Sequence, residues 1–139
     1  MNAIEEMGPI DYLLVEWPER QPHGELAPQL VDLVDRGLIR ILDLVFMTKD
    51  EDGTVEVLEI SDLPALAVLE GAPSGLVDDE DIETAAAVME PGTSAALLIY
   101  ENTWAAPFAV ALRKTGGQVV SSGRIPIQQM LGALEAAEA

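Results

Sequence analysis

Tyr100, Trp104, Trp17 and His23 are the residues of this chain whose types could build a ligand site. His23 is the single histidine, placed in PERQPHG after two prolines and before a glycine. An imidazole titrates near neutrality and can serve as a general base. Catalysis by it also needs an orienting partner and a nucleophile or substrate site; the sequence supplies neither, so an exposed loop histidine is expected. The three aromatics could line a pocket with a polar group, but aromatics more often supply buried area in a core or at its rim. No nucleophile beside a base, no metal-ligand cluster and no phosphate loop is recognisable. No catalytic residue, metal or cofactor is therefore assigned.

Two acidic clusters have structural explanations. Asp50, Glu51, Asp52 and Gly53 suggest a calcium loop, but an EF-hand spreads its ligands over twelve positions between helices, and here strand-like runs flank a tight turn. Asp79, Glu80 and Asp81 follow a capping Asp78 and suit the positive end of a helix dipole.

The elements that would position the aromatics centre on Thr93 to Ile125. Ala95 to Tyr100, AALLIY, is a continuous apolar run suited to the middle of a sheet. Asn102 and Thr103 are competent N-caps, and Ala105, Phe108, Ala109 and Leu112 mark one buried helical face. Gly116 and Gly117 end that helix, and Gln118 to Arg124, QVVSSGR, reads as a polar edge strand. The same grammar occurs earlier: strand Asp11 to Trp17, a helix striped by Leu26, Leu30, Leu33 and Val34, a stop at Arg36 and Gly37, and strand Leu38 to Met47. Met1 to Gly8 should fray. Val55 to Ile60 alternates, as an outer strand after a Gly53 hairpin would. Ser61 to Val77 reads as a helical turn or two and then loop. A helix from Asp79 to Glu90 directs Ile82, Ala85, Ala86 and Met89 inward. After Pro126, Ile127, Met130, Leu131 and Leu134 form a final amphipathic stripe.

Two strand-helix-strand units predict an α+β, ferredoxin-like split βαβ sheet with an added hairpin strand and a C-terminal helix, in one domain covering 1–139. Ranking strands by apolarity gives the order 118-strand, 11-strand, 95-strand, 39-strand, 55-strand; an alternative places the 55-strand centrally. The repeat helices are expected on one sheet face. Trp17 and Trp104 should then lie far apart.

Twenty-five acids against seven bases give a net charge of −18, which disfavours nucleic acid and anionic lipid. A solubilising shell explains the charge, with a halophilic cytosol or a basic partner protein as sharper readings. Apolar runs fall far short of the roughly 20 residues needed to cross a bilayer, so no membrane insertion is expected. The acidic opening MNAIEEMG argues against an export signal, and the absence of cysteine removes disulfides and thiolate sites. A cytoplasmic location follows as the expectation.

ENTWAAPFAVALRKTGG, SGRIP, EPGTSAALL and GPIDYLLVEWP resemble an uncharacterised bacterial family, domain of unknown function 6325, across nearly the whole chain. TKDEDGTVEV, EPGTSA and GGQVV are more loosely similar to a second, membrane-associated family whose members carry an apolar hairpin where Ala65 to Gly75 stands. Neither resemblance implies an activity or catalytic residues. The expected function is a non-enzymatic, self-associating interaction or regulatory module, with a homodimer formed on an open sheet face. The alternative is a small dimeric α+β-barrel-type enzyme or binding protein for an apolar or aromatic small molecule; an acidic mimic of nucleic acid is a third class.

Overall fold

The computed structural model describes residues 6–18, 27–62, 64–69 and 71–138. His23, Leu26 and most of the connector after Trp17 lie outside them. Four strands, β1 (Ile10–Trp17), β2 (Arg40–Lys49), β3 (Val55–Leu58) and β4 (Thr93–Glu101), form one antiparallel sheet in the order β1-β4-β2-β3. These four stand in the order their apolarity ranks them, with the short alternating β3 at an edge. β4 pairs with β1 from Ile10↔Glu101 to Trp17↔Ser94 and with β2 from Arg40↔Glu101 to Lys49↔Thr93. β1 and β2 therefore run parallel with β4 between them, the split arrangement that a helical crossover permits.

The fifth strand expected at 118–124 is absent: the segment is irregular and pairs with nothing in the sheet. Val119 and Val120 are adjacent, so they cannot share a sheet face, and no register is favoured over its neighbour.

Four α-helices accompany the sheet: α1 (Ala27–Asp35), α2 (Asp79–Val88), α3 (Ala106–Lys114) and α4 (Ile127–Glu138). On one face, Ala27, Leu30 and Val31 of α1 pack with Leu44, Phe46, Ala96 and Leu98, joined by Ile60 and Leu69 from two short 3₁₀ helices (Ile60–Asp62 and Pro64–Leu69). On the other, Ile82, Ala85 and the following Met89 pack with Met47, Ala95 and Leu97. The helices α1 and α2 thus cover opposite faces; α2 is the return helix, and of the two repeat helices, α1 and α3, only α1 contributes to either cluster. The link from β3 to α2 makes the two-sided cover possible, because Ile60 and Leu69 pack on the α1 side before α2 packs on the other.

The helix ends follow their residues. Asp78 and Asp81 form a reciprocal capping box at α2. Gly37 (φ +71°) and Gly116 (φ +82°) close α1 and α3, where a left-handed residue lets the next amides reach carbonyls of the last turn. Gly53 (φ +90°) closes the β2–β3 hairpin.

Several side chains depart from expectation. Leu33 and Val34 are exposed on α1; Leu30 of the expected stripe faces the core, and Val31 joins it there. Phe108 is 73% exposed although Ala105 and Ala109 are buried. The start of α3 comes so close to Gly8 that a β-carbon there would sit 3.1 Å from the Ala106 amide nitrogen, and a helix docked through alanines leaves Phe108 outside the contact. Asn102 makes no capping bond; its amide donates to Pro9 O (3.2 Å) and Asp11 Oδ2 (2.9 Å). Gly8 is buried rather than frayed, and its amide donates to Glu101 Oε2 at 2.8 Å.

Candidate functional site

Helices and 3₁₀ turns cover β4 and β2, but β1 is left largely bare. Ile10, Tyr12 and Val15 are exposed, Tyr12 at 73%. In the sheet β1 pairs with β4 alone, so it is an edge strand with no second described strand beside it. A groove runs along each of its faces. On the α1 side, Leu13, Val15 and Trp17 face Leu30 and Leu33 across an apolar cleft of about 240 Å³. On the α2 side, Ile10, Tyr12 and Leu14 face Thr84, Ala85 and Val88 across about 460 Å³. Alternation explains the pair of grooves, since odd and even residues of one strand point to opposite faces and in β1 both sets are mainly apolar.

The second unburied apolar feature is the end of the chain. Every residue from 118 to 138 is exposed, including Ile127, Met130, Leu131 and Leu134 along α4. An amphipathic helix normally buries such a stripe; here it faces water. Arg124 ties the preceding segment to the sheet, donating to the Tyr100 hydroxyl and lying 4.0 Å from Asp11 Oδ2. Tyr100 and Asp11 are register partners across β4 and β1.

Of the four residues singled out in the sequence, the three described ones are not brought together. Trp17 lines the α1-side groove at the Ser94 end of the β1–β4 pair. Tyr100 is buried near the opposite end, and Trp104 follows β4 at that end, 66% exposed, with its indole donating to Asn102 Oδ1 at 3.3 Å. Neither Tyr100 nor Trp104 lines the two β1 grooves. His23 lies outside the described residues. No group of three or more His, Cys, Asp or Glu side chains arranged to hold a metal occurs among the described residues.

Asp43 is the ionisable group that sequence reasoning passed over. It is 1% exposed and accepts from the amides of Leu44 (2.8 Å), Ser74 (2.9 Å) and Val77 (2.7 Å). Burial pushes its pKa up, but the backbone amides of Ser74, Val77, Leu44 and Leu76 outweigh burial and hold it below the usual carboxylate value. Ser74 Oγ also donates to Leu42 O at 2.5 Å. Together these bonds fasten the link to α2 onto the irregularity in β2 between Ile41 and Asp43. The signal was an acid inside the otherwise apolar run ILDLVFM.

These features define an α+β domain: a four-stranded antiparallel sheet with helices on both faces, an underclad edge strand and an unpacked C-terminal helix. A family model covers residues 6–138, and the chain belongs to that family, the family of unknown function DUF6325. No curated protein and no solved structure matches the chain. No helix of the described residues is long and apolar enough to cross a membrane.

Proposed function

We propose that this protein is a non-enzymatic interaction or regulatory module that works as a homodimer in the bacterial cytoplasm. The observation that carries the reading is the coexistence of a bare edge strand, grooved on both faces, and a helix whose apolar stripe is wholly exposed. Exposed apolar patches of this kind mark association sites. The cysteine-free composition suits a reducing compartment. The fold reads as a ferredoxin-like split βαβ sheet without its last strand, since 118–124 is irregular; the order β1-β4-β2 supports this derivation. The net charge of −18 opposes self-association, so the contact is apolar and strengthens as salt screens the repulsion. Sedimentation equilibrium at low and high salt tests the reading: a dimer that tightens with salt is expected, and a monomer at both refutes it.

A second reading, binding of an apolar or aromatic small molecule, is favoured by the α1-side groove with Trp17 on its wall. Removing the other indole with Trp104→Phe isolates Trp17 emission. Saturable quenching by an aromatic hydrocarbon that leaves the oligomeric state unchanged would favour this reading over the first.

A further inference from the structure

We infer that α4 of one copy docks in the groove between β1 and α2 of a second copy, in a reciprocal exchange. The inference rests on the self-association proposed above and names its surfaces. The α2-side groove presents the apolar residues least covered in that region, Ile10, Tyr12 and Val88, which are 53%, 73% and 70% exposed. α4 presents the complementary shape. From Ile127 to Leu134 the helix advances about 11 Å at 1.5 Å per residue, and from Ile10 to Leu14 the strand advances about 13 Å at 3.3 Å per residue. One apolar stripe thus matches the length of the other.

Charge selects the occupant. Asp81 stands on the groove, as does Asp11, whose carboxylate already faces Arg124 and accepts from Asn102 of its own chain, so the charge left there still disfavours an acidic helix. In a chain with 25 acids, the stretch from Asn102 to Leu134 contains none and carries Arg113, Lys114 and Arg124. α4 therefore meets the groove with an uncharged stripe, while Glu135 and Glu138 fall beyond it. The anchoring of Arg124 at Tyr100 and Asp11 holds the start of the arm on its own sheet, and the helix beyond it leaves its own groove open. A twofold exchange then gives each groove one helix and each helix one groove through an isologous interface. A stable interface needs about 20–30 residues a side, and one helix plus one groove from each copy approaches that size.

Light scattering on the full chain and three variants tests the exchange. Leu134→Glu changes the helix, Val88→Glu changes the groove, and Phe108→Glu changes the exposed apolar residue of α3. All three positions are exposed in the single chain, so each variant should keep the wild-type circular dichroism. The expected masses are twice 14.9 kDa for wild type and Phe108→Glu, and the monomer mass for the other two. A wild-type monomer overturns this inference and self-association together. A dimer that survives both Leu134→Glu and Val88→Glu overturns the α4 assignment and leaves self-association standing. Because the chain has no cysteine, Tyr12→Cys and Leu131→Cys chains can be mixed and oxidised. A disulfide between the two chains is expected. Failure to couple, with the double variant closing a disulfide at monomer mass, overturns exchange in favour of docking within one chain.

Discussion

Val77 donates its amide to Asp43 Oδ2 at 2.7 Å, across more than thirty residues of chain. With the Ser74 amide on Oδ1, this carboxylate fixes the point from which the chain enters α2. Asp43→Asn keeps the shape but offers an amide NH₂ where backbone N–H groups need acceptors, so it should cost about 2–4 kcal/mol, read from urea unfolding at neutral pH. The pH dependence has a definite sign. The folded pKa is depressed, so the contribution is fully present above the unfolded value of about 3.9 and is lost as pH falls through the folded pKa. The stability gap between wild type and Asp43→Asn should therefore narrow as pH falls below about 4. A gap independent of pH from 7 to 2 would show that Asp43 acts by shape alone.

Lys49 Nζ donates to Ala86 O at 3.0 Å and Met89 O at 3.1 Å. A cation there gives a donor to Met89 O and a second one to Ala86 O, which already accepts the Met89 amide at 3.1 Å, at the negative end of the dipole. Lys49→Met retains the packing of the stem and loses both bonds. A loss of about 1–2 kcal/mol in urea unfolding is expected; an unchanged midpoint would show that water replaces the ammonium without cost.

Gly8 and Gly37 separate two reasons for glycine. At Gly8 a β-carbon would lie 2.3 Å from the Asn102 carbonyl oxygen, a backbone atom that cannot swing aside. At Gly37 the space is open and only the φ of +71° resists a side chain. Gly37→Ala should cost about 1–2 kcal/mol, and Gly8→Ala should cost more because α3 must move. Equal thermal midpoints for the two variants would contradict the close approach.

The legible and illegible parts of this fold divide along physical lines. Continuous or alternating apolarity placed β1, β4, β2 and β3 in their order, because burial on two faces or one is written directly in side-chain type. Caps were equally local: Asp78, Gly37 and Gly116 act on groups a few residues away. Tertiary distance was not legible. Nothing within AAPFAV says that Gly8 draws the alanine side of α3 inward and turns Phe108 out. Asp43 looked like an interruption of a strand because its partners, Ser74 and Val77, are remote in sequence. QVVSSGR had the composition of an edge strand, but pairing needs a favoured register, and two adjacent valines give none. The α4 stripe was legible as a stripe, and the surface that should receive it was not.

Trp17 and Trp104 should report different environments. Trp17 packs against the cluster of Leu30, Val31 and Ala96 on the α1 face, at the end of the β1–β4 pair marked by Ser94. Trp104 follows Glu101 at the opposite end and is 66% exposed. Trp17→Ala removes partly buried aromatic area and opens the groove floor, so it should cost about 2–3 kcal/mol, below the 3–5 typical of a fully buried ring. Trp104→Ala touches an exposed ring held by one indole bond at 3.3 Å and should stay within about 0.5 kcal/mol. Emission should follow the same division: Trp104→Phe leaves a blue-shifted indole protected from acrylamide, and Trp17→Phe leaves a red-shifted, readily quenched one. If Trp104→Ala proved the more destabilising change, the aromatic end of β4 and not the α1-side groove would hold the better-packed indole. If both single-tryptophan variants were quenched alike, Trp17 would be as open to solvent as Trp104, contrary to its packing against the cluster of Leu30 and Val31.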